Sequence, residues 1–287
     1  CQQVENLVAG APSGIMDQMT SACAEENRLL ELLCQPDILK GNLALPDELA
    51  VWGVDSGVRH SVTGSDYETV RAAAFMGYRI VADVAGLKVT AADVAYKVII
   101  DDERWNGYLA NISTEEFEER YSSALPESIE GAVFLERYSG TTDLLTNLDP
   151  TRTYPVRAAT KHPIYENERV TKFASTLKNW RGLEQAGPLG ELMFGSHQSY
   201  SDCGLGSEAT DLIADIARST EGLYGARITG GGRGGTVAVL GRAGAPDAIE
   251  RLKQAFCRQT GREPLVISGS STGAGKLDHV KVEVLTN

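Results

Sequence analysis

Apolar and small residues recur at helical spacing over 66–84, where Val70, Ala73, Ala74, Gly77, Ile80 and Val81 line one side and predict a long helix. Gly86 is placed to end it, since glycine takes a left-handed cap without steric cost. Shorter helices are predicted over 1–7, over the apolar segment that carries Asp17, and over 114–122 with Thr114 as cap and Glu115 and Glu116 in the first turn. Another is predicted over 126–138, with Pro126 at the first helical position. Helical spacing returns over 164–181, 189–201, 208–218 and 246–259. Apolar runs too short for helices predict strands at 28–34, 49–54, 226–229, 237–240 and 265–267. The stretch 91–100 is helical by composition at its start and strand-like at Val98-Ile99-Ile100, and both readings stand. Helices and strands mix without regular βαβ alternation, which makes the chain α+β. The polar, turn-rich stretch 139–152 reads as a hinge between two lobes.

Composition narrows the class. With 287 residues the chain can bury a sizeable core as one large domain or two joined lobes. A formal net charge of −12 argues against a nucleic-acid partner, which needs clustered Lys and Arg, but leaves room for a nucleotide held by a local cradle. No apolar run approaches the ~18 residues of a membrane span. Five scattered cysteines without a Cys-x-x-Cys pair fit reduced thiols in a cytoplasmic protein better than a disulfide framework or a zinc site.

Two segments carry candidate chemistry. In the first, a turn from Gly10 to Gly14 runs into Ile15-Met16-Asp17-Gln18, placing one carboxylate near a helix start. A carboxylate there can take or orient a hydroxyl proton, an effect worth about 10²–10⁴ in rate; the plainer reading is an aspartate held by the helix dipole. In the second, Gly225 to Thr236, a short strand breaks at Gly230-Gly231-Gly232-Arg233-Gly234-Gly235 and resumes at Val237. Successive glycines let backbone N–H groups approach an anion or a neighbouring loop. The strand–loop–strand order is not that of a P-loop, and a packing hairpin is the alternative. Together the segments suit phosphoryl transfer to a small polar acceptor. Elsewhere Arg59 is free to pair with a carboxylate or phosphate, His60 reads as a capping or core residue rather than a metal ligand, and no metal site is expected. His197 and Cys203 read as packing or hydrogen-bonding residues rather than a Cys–His nucleophile pair, and Ser207 as a helix cap.

Gly14-Ile15-Met16-Asp17-Gln18, Arg59-His60-Ser61, Ser196-His197-Gln198-Ser199 and the run Gly225 to Gly235 together resemble the galactokinase and L-arabinokinase branch of the GHMP sugar-kinase superfamily. The segments 1–6, 19–23 and 161–167 look most like the L-arabinokinase side of it. The resemblance covers nearly the whole chain. It implies a two-lobed α+β fold, with residues 1–150 as the remainder of a truncated N-terminal lobe and 151–287 as a ferredoxin-like C-terminal lobe. It implies ATP-dependent phosphorylation of a monosaccharide at C1, with L-arabinose or galactose as acceptor. In it, Asp17 is the catalytic residue facing the C1 hydroxyl, Gly14, Asp17 and Tyr67 bind the sugar, and Gly230, Gly231 and Gly232 serve the nucleotide side.

The departures from the family are Arg233, where an apolar and usually aromatic residue interrupts the glycines, and Asp55 and Gly57, where galactokinases carry Asn-type residues. The family's Gly-Arg-x-Asn-Leu-Ile-Gly-Glu-His and Gly-Leu-Ser-Ser-Ser-Ala segments, the latter holding ATP phosphates and Mg²⁺, are expected upstream of Cys1. On that expectation residues 1–287 alone are inactive. The rival expectation is a non-catalytic, kinase-shaped sugar sensor.

Overall fold

The computed structural model describes residues 1–8, 13–59 and 65–277. The first third holds helices α1 (Gln2–Leu7) and α2 (Met16–Cys23), strands β1 (Arg28–Leu33), β2 (Ile38–Ala44) and β3 (Leu49–Asp55), and the long helix α3 (Ser65–Val84). Next come β4 (Lys88–Ala91), β5 (Val98–Asp101), α4 (Thr114–Arg120), β6 (Ile129–Glu130), α5 (Gly131–Tyr138) and β7 (Thr153–Tyr154). The remainder is α6 (Val156–Lys178), α7 (Ala186–Asp202), α8 (Glu208–Ser219), β8 (Leu223–Ile228), β9 (Thr236–Arg242), α9 (Pro246–Thr260) and β10 (Leu265–Ile267).

One core is mainly helical. Met76, Ile80 and Val81 of α3 meet Phe134 and Tyr138 of α5, Trp105 and Tyr121, and Val156, Ala159 and Ile164 of α6. Trp105 and Tyr121 meet edge to face with ring centroids 5.5 Å apart. The expected hinge 139–152 is packed into this body: Thr141, Asp143, Thr146 and Leu148 are buried. Asp143 takes a two-pronged ion pair from Arg71 at 2.9 and 3.0 Å and a hydrogen bond from the Thr146 hydroxyl. Burial alone would push that carboxyl up; the Arg71 and Thr146 bonds outweigh it and hold it below the usual carboxylate range. Buried Lys97 donates to the Thr146 carbonyl at 2.5 Å, tying 97 to the same stretch.

Three expected elements are corrected here. The helix expected over 126–138 starts only at Gly131, because residues 129–130 pair with 153–154 and the Gly131 and Ala132 amides bond the Arg152 and Pro150 carbonyls. The cap of α4 is Ser113, whose hydroxyl accepts from the Glu116 amide at 3.1 Å, so Thr114 lies within the first turn. Helix α6 begins at Val156 and continues through Pro163, held by Val156, Ala159 and Thr160, which are buried. The ambiguous 98–101 segment is a strand, paired with 88–91.

A second core surrounds a four-stranded antiparallel sheet in the order β10-β3-β9-β8. The pleat sorts its side chains. Val54, Val237, Val239 and Ala226 face Ile213, Ala217, Leu252 and Phe256 of α8 and α9. Leu49, Val51 and Leu240 face Leu177, Leu189 and Met193 of α6 and α7. Helix α6 therefore serves both cores. Between α7 and β8 the backbones touch: a Cβ on Gly190 would stand 1.6 Å from the Tyr224 carbonyl oxygen, and one on Gly225 would stand 2.5 Å from the Gly190 Cα. Only glycine fits at that crossing. It fixes where β8 runs and so where the glycine-rich turn after it emerges.

Candidate functional site

Strands β8 and β9 form a hairpin whose tip is the glycine loop, as the sequence pattern predicts. Two of its glycines are needed for close approach. A Cβ on Gly232 would lie 2.6 Å from the Leu205 carbonyl, and one on Gly234 would lie 2.6 Å from the Val58 carbonyl. The loop is thus wedged between the α7–α8 turn and the chain that follows β3. The Arg233 and Gly235 amides bond the Leu205 and Val58 carbonyls at 2.6 and 3.0 Å, and the Ser56 amide bonds the Gly235 carbonyl at 2.9 Å. By contrast, Gly230 and Gly231 are exposed and a Cβ on either would meet nothing within 4 Å. Among the described residues no hydrogen bond takes up the amides of Gly230, Gly231 or Gly232. Gly230 and Gly232 have left-handed φ, +68° and +89°, with a non-left-handed residue between them. That alternation is the backbone habit of anion-binding nests.

The start of α3 lies beside this loop. Asp66, next to Tyr67, pairs with Arg233 at 3.2 Å. Tyr200 of α7 donates its hydroxyl to the Gly230 carbonyl at 2.9 Å, and its ring would stand 3.0 Å from a Cβ on Gly232. Burial first, then the nearness of Tyr67, pushes the Tyr200 phenol well above its ordinary range. The Arg233–Asp66 pair therefore ties the glycine loop to the start of α3, which carries Tyr67.

Behind the loop lies a polar seam between α6, α7, α8 and β8, drawn largely from the segments 161–167 and 196–199, to which the sequence pattern assigned no catalytic or binding role. Glu166 accepts from the Ser196 hydroxyl at 2.6 Å and pairs with Arg169 and Arg227, each at 3.1 Å. His162 Nδ1 is 2.9 Å from the Ser199 hydroxyl. His197, expected as a packing or hydrogen-bonding residue, is a buried bridge: its Nδ1 accepts the Ile228 amide at 3.1 Å and its Nε2 is 3.0 Å from Asp211. Because the amide can only donate, Nδ1 is unprotonated and Nε2 carries the hydrogen given to Asp211. Burial holds both imidazoles below the ordinary value of 6.5, against the opposing pull of Glu166 on His162 and Asp211 on His197.

The sign of the pH effect follows. In the unfolded chain both groups protonate nearer 6.5, so stability held above that pH is lost as the pH falls toward their depressed folded values. The urea midpoint is expected to fall between about pH 7.5 and about pH 5.5, and less so in His197→Gln. A flat or rising midpoint across that window would contradict the assignment.

The remaining expected site residues fall as follows. Asp17 lies in the first turn of α2, exposed, with no hydrogen bond or ion pair among the described residues. Gly14 is exposed with open space around it. Helix α2 leads to the C-terminal segment, where Gly273 packs on the backbone of Ala22 and Ala24. No hydrogen bond or ion pair among the described residues joins Asp17 to Tyr67 or to the glycine loop. Asp55 is buried and holds the Gly57 amide and Arg59, at 3.0 and 3.1 Å, so Arg59 has a carboxylate partner. Ser207 caps α8 in a reciprocal box with Thr210. Cys203 is buried, which raises its thiol to about 12. Residues 9–12 and 60–64, including His60, Ser61 and Gly10, lie outside the described residues. Among the described residues no cluster of His, Cys, Asp or Glu is placed to hold a metal ion, and no helix is long and apolar enough to cross a membrane.

Residues 181–259, from the turn before α7 to the end of α9, match the family described as GHMP kinases C terminal. The chain is similar to L-arabinokinase of Arabidopsis thaliana, 40% identical over 305 residues that cover 98% of this chain and 29% of that protein. It is similar to galactokinase of Chloroflexus aggregans, 28% identical over 96% of this chain and 57% of that one. A crystal structure of Lactococcus lactis galactokinase complexed with galactose superposes with a TM-score of 0.67 and 20% identity, over 96% of this chain and 58% of that one. That likeness shows a shared fold. The chain thus spans less than two thirds of the length of each of these relatives.

Proposed function

We propose that the chain is part of a GHMP-type sugar 1-kinase that transfers the γ-phosphoryl group of ATP to the C1 hydroxyl of L-arabinose or galactose. The observation that carries this reading is the open pair Gly230–Gly231, bare of side chains and with amides that no hydrogen bond among the described residues takes up, on a loop tied by Arg233–Asp66 to the start of α3 that carries Tyr67. An oxyanion of the nucleotide meets those amides without displacing protein hydrogen bonds. Tyr67 and Gly14 hold the sugar, and the Asp17 carboxylate accepts or orients the proton of the attacking hydroxyl. Phosphoryl transfer draws most of its rate from such positioning. Mg²⁺, which accompanies ATP in kinases, finds no acidic cluster among the described residues, and no step here is assigned to it.

In this reading residues 1–150 are what this chain holds of the sugar-side lobe and 151–287 form the second lobe, with β3 crossing to lie within the second lobe's sheet. Cytoplasmic residence accords with five unpaired cysteines. The test is coupled ADP release by the full polypeptide that carries this sequence, across a monosaccharide panel, with the product read by ³¹P NMR. A phosphate on C1 of L-arabinose or galactose is expected. Sugar binding without ADP release would favour a sensor, and phosphorylation at another carbon would reject the assigned chemistry.

A further inference from the structure

Arg233 stands where the glycine run is interrupted, at a left-handed φ of +58° that a residue with a side chain adopts at a cost. What the side chain does there offsets that cost. Its Nε reaches the Gly204 carbonyl at 3.1 Å and Asp66 at 3.2 Å, while its amide bonds the Leu205 carbonyl. It therefore spans from the α7–α8 turn, through the loop, to the first turn of α3. Tyr200 bonds the Gly230 carbonyl, lies against Gly232, and has its ring centroid 5.3 Å from that of His162 of α6, the rings tilted by 54°. The two contacts hold the loop at Gly230 and at Arg233, on either side of Gly231 in sequence, and the Arg233 contact ends on Asp66, the residue before Tyr67.

We propose that Arg233 and Tyr200 are positioning residues that latch the open glycines to the start of α3, so that the anion-binding amides and Tyr67 keep one spacing. The latch rests on the sugar-kinase reading for its purpose, but its existence is testable without turnover. A glycine loop has no side chains of its own to anchor it, and local opening of such loops takes little free energy. An exposed ion pair, weak in global stability, is then large enough to decide how often the loop opens.

Hydrogen exchange of unliganded protein reads this directly. Arg233→Gln and Asp66→Asn are each expected to speed exchange of the hydrogen-bonded loop amides of residues 233 and 235, which hold the Leu205 and Val58 carbonyls, by about two- to fivefold, and the reversed pair Arg233→Asp with Asp66→Arg to bring it back toward wild type. Aspartate tolerates the left-handed backbone at 233. Tyr200→Phe keeps the ring and loses the hydroxyl, so it should speed the same amides while leaving the melting temperature within a few degrees. Unchanged exchange in Arg233→Gln and Tyr200→Phe, or no rescue by the reversed pair, would overturn the latch. In the active polypeptide Arg233→Gln should lower kcat several-fold with little change in KM, the sign of lost alignment rather than lost binding. A polypeptide that phosphorylates no sugar would sink the kinase reading and leave the exchange result standing.

Discussion

Asp17→Asn is expected to lower sugar phosphorylation by about 10²–10⁴-fold while leaving sugar affinity within a few-fold of wild type. The amide keeps the size and the hydrogen-bonding oxygen of the carboxylate, so contacts made in the ground state survive. What it loses is the negative charge and basicity that take up the hydroxyl proton as the phosphoryl group transfers. The site is well suited to a clean substitution. Asp17 is exposed, makes no hydrogen bond or ion pair among the described residues, and sits in a short helix, so only the dipole interaction of about 0.3–1 kcal/mol is forfeited. A melt should therefore move little. Turnover that stays at the wild-type level would remove Asp17 from the mechanism; loss of sugar binding instead would make it a ligand only. Asp17→Glu separates the remaining choices. A longer carboxylate that restores partial turnover argues for charge placed loosely near C1, whereas loss as deep as in Asn argues for a proton acceptor of fixed reach.

The elements that periodicity dictates were legible. Helix α3, with Ala73, Met76, Ile80 and Val81 buried on one side, and helix α8, with Ile213, Ala214, Ile216 and Ala217, carry stripes that a helix must bury. The strand–glycines–strand order of the β8–β9 hairpin was equally plain, since nothing but a tight, bare turn joins those runs. What failed was decided by tertiary contact. The helix expected over 164–181 starts instead at Val156 and passes through Pro163, because the turns before it are buried against α3. Strand β2 is half exposed and holds its place by pairing with β1, so no apolar run announces it. In the site, Asp17 and the glycines stood out from the residue pattern, while Tyr67 and the sugar-side and nucleotide-side roles came from the resemblance. The residues that hold the glycine loop in place, Tyr200 on Gly230 and Asp66 on Arg233, act across elements far apart in sequence, and no local spacing reveals such partners. Arg233 was visible as a departure from the family pattern, but its meaning needed Asp66 beside it.

Gly190→Ala is expected to lower stability by about 3 kcal/mol or more, at the upper end of what overpacking a core costs. Two terms oppose each other. Alanine favours a helix interior over glycine by about 1 kcal/mol. Against that, the added methyl would stand 1.6 Å from the Tyr224 carbonyl oxygen and 2.3 Å from its carbon, and the obstacle is strand backbone that cannot swing aside as a side chain can. Strand β8 is bonded to β9 along its other edge, and its face carries Ala226 into the second core, so it cannot retreat without opening both. The steric term wins. For a chain of this size the loss corresponds to a melting point lower by about 6–12 °C. Gly187 lies on the same helix with nothing within 4 Å of a Cβ, so Gly187→Ala should melt at or slightly above wild type and serves as the control. Equal melting of the two variants would mean that α7 and β8 do not touch as described. Where Gly190→Ala still folds, β8 must have moved, and with it the Ile228 amide that His197 holds and the Gly230 carbonyl that Tyr200 holds. Turnover should then fall further than the folded fraction accounts for, because the same strand that fills the core also aims the loop.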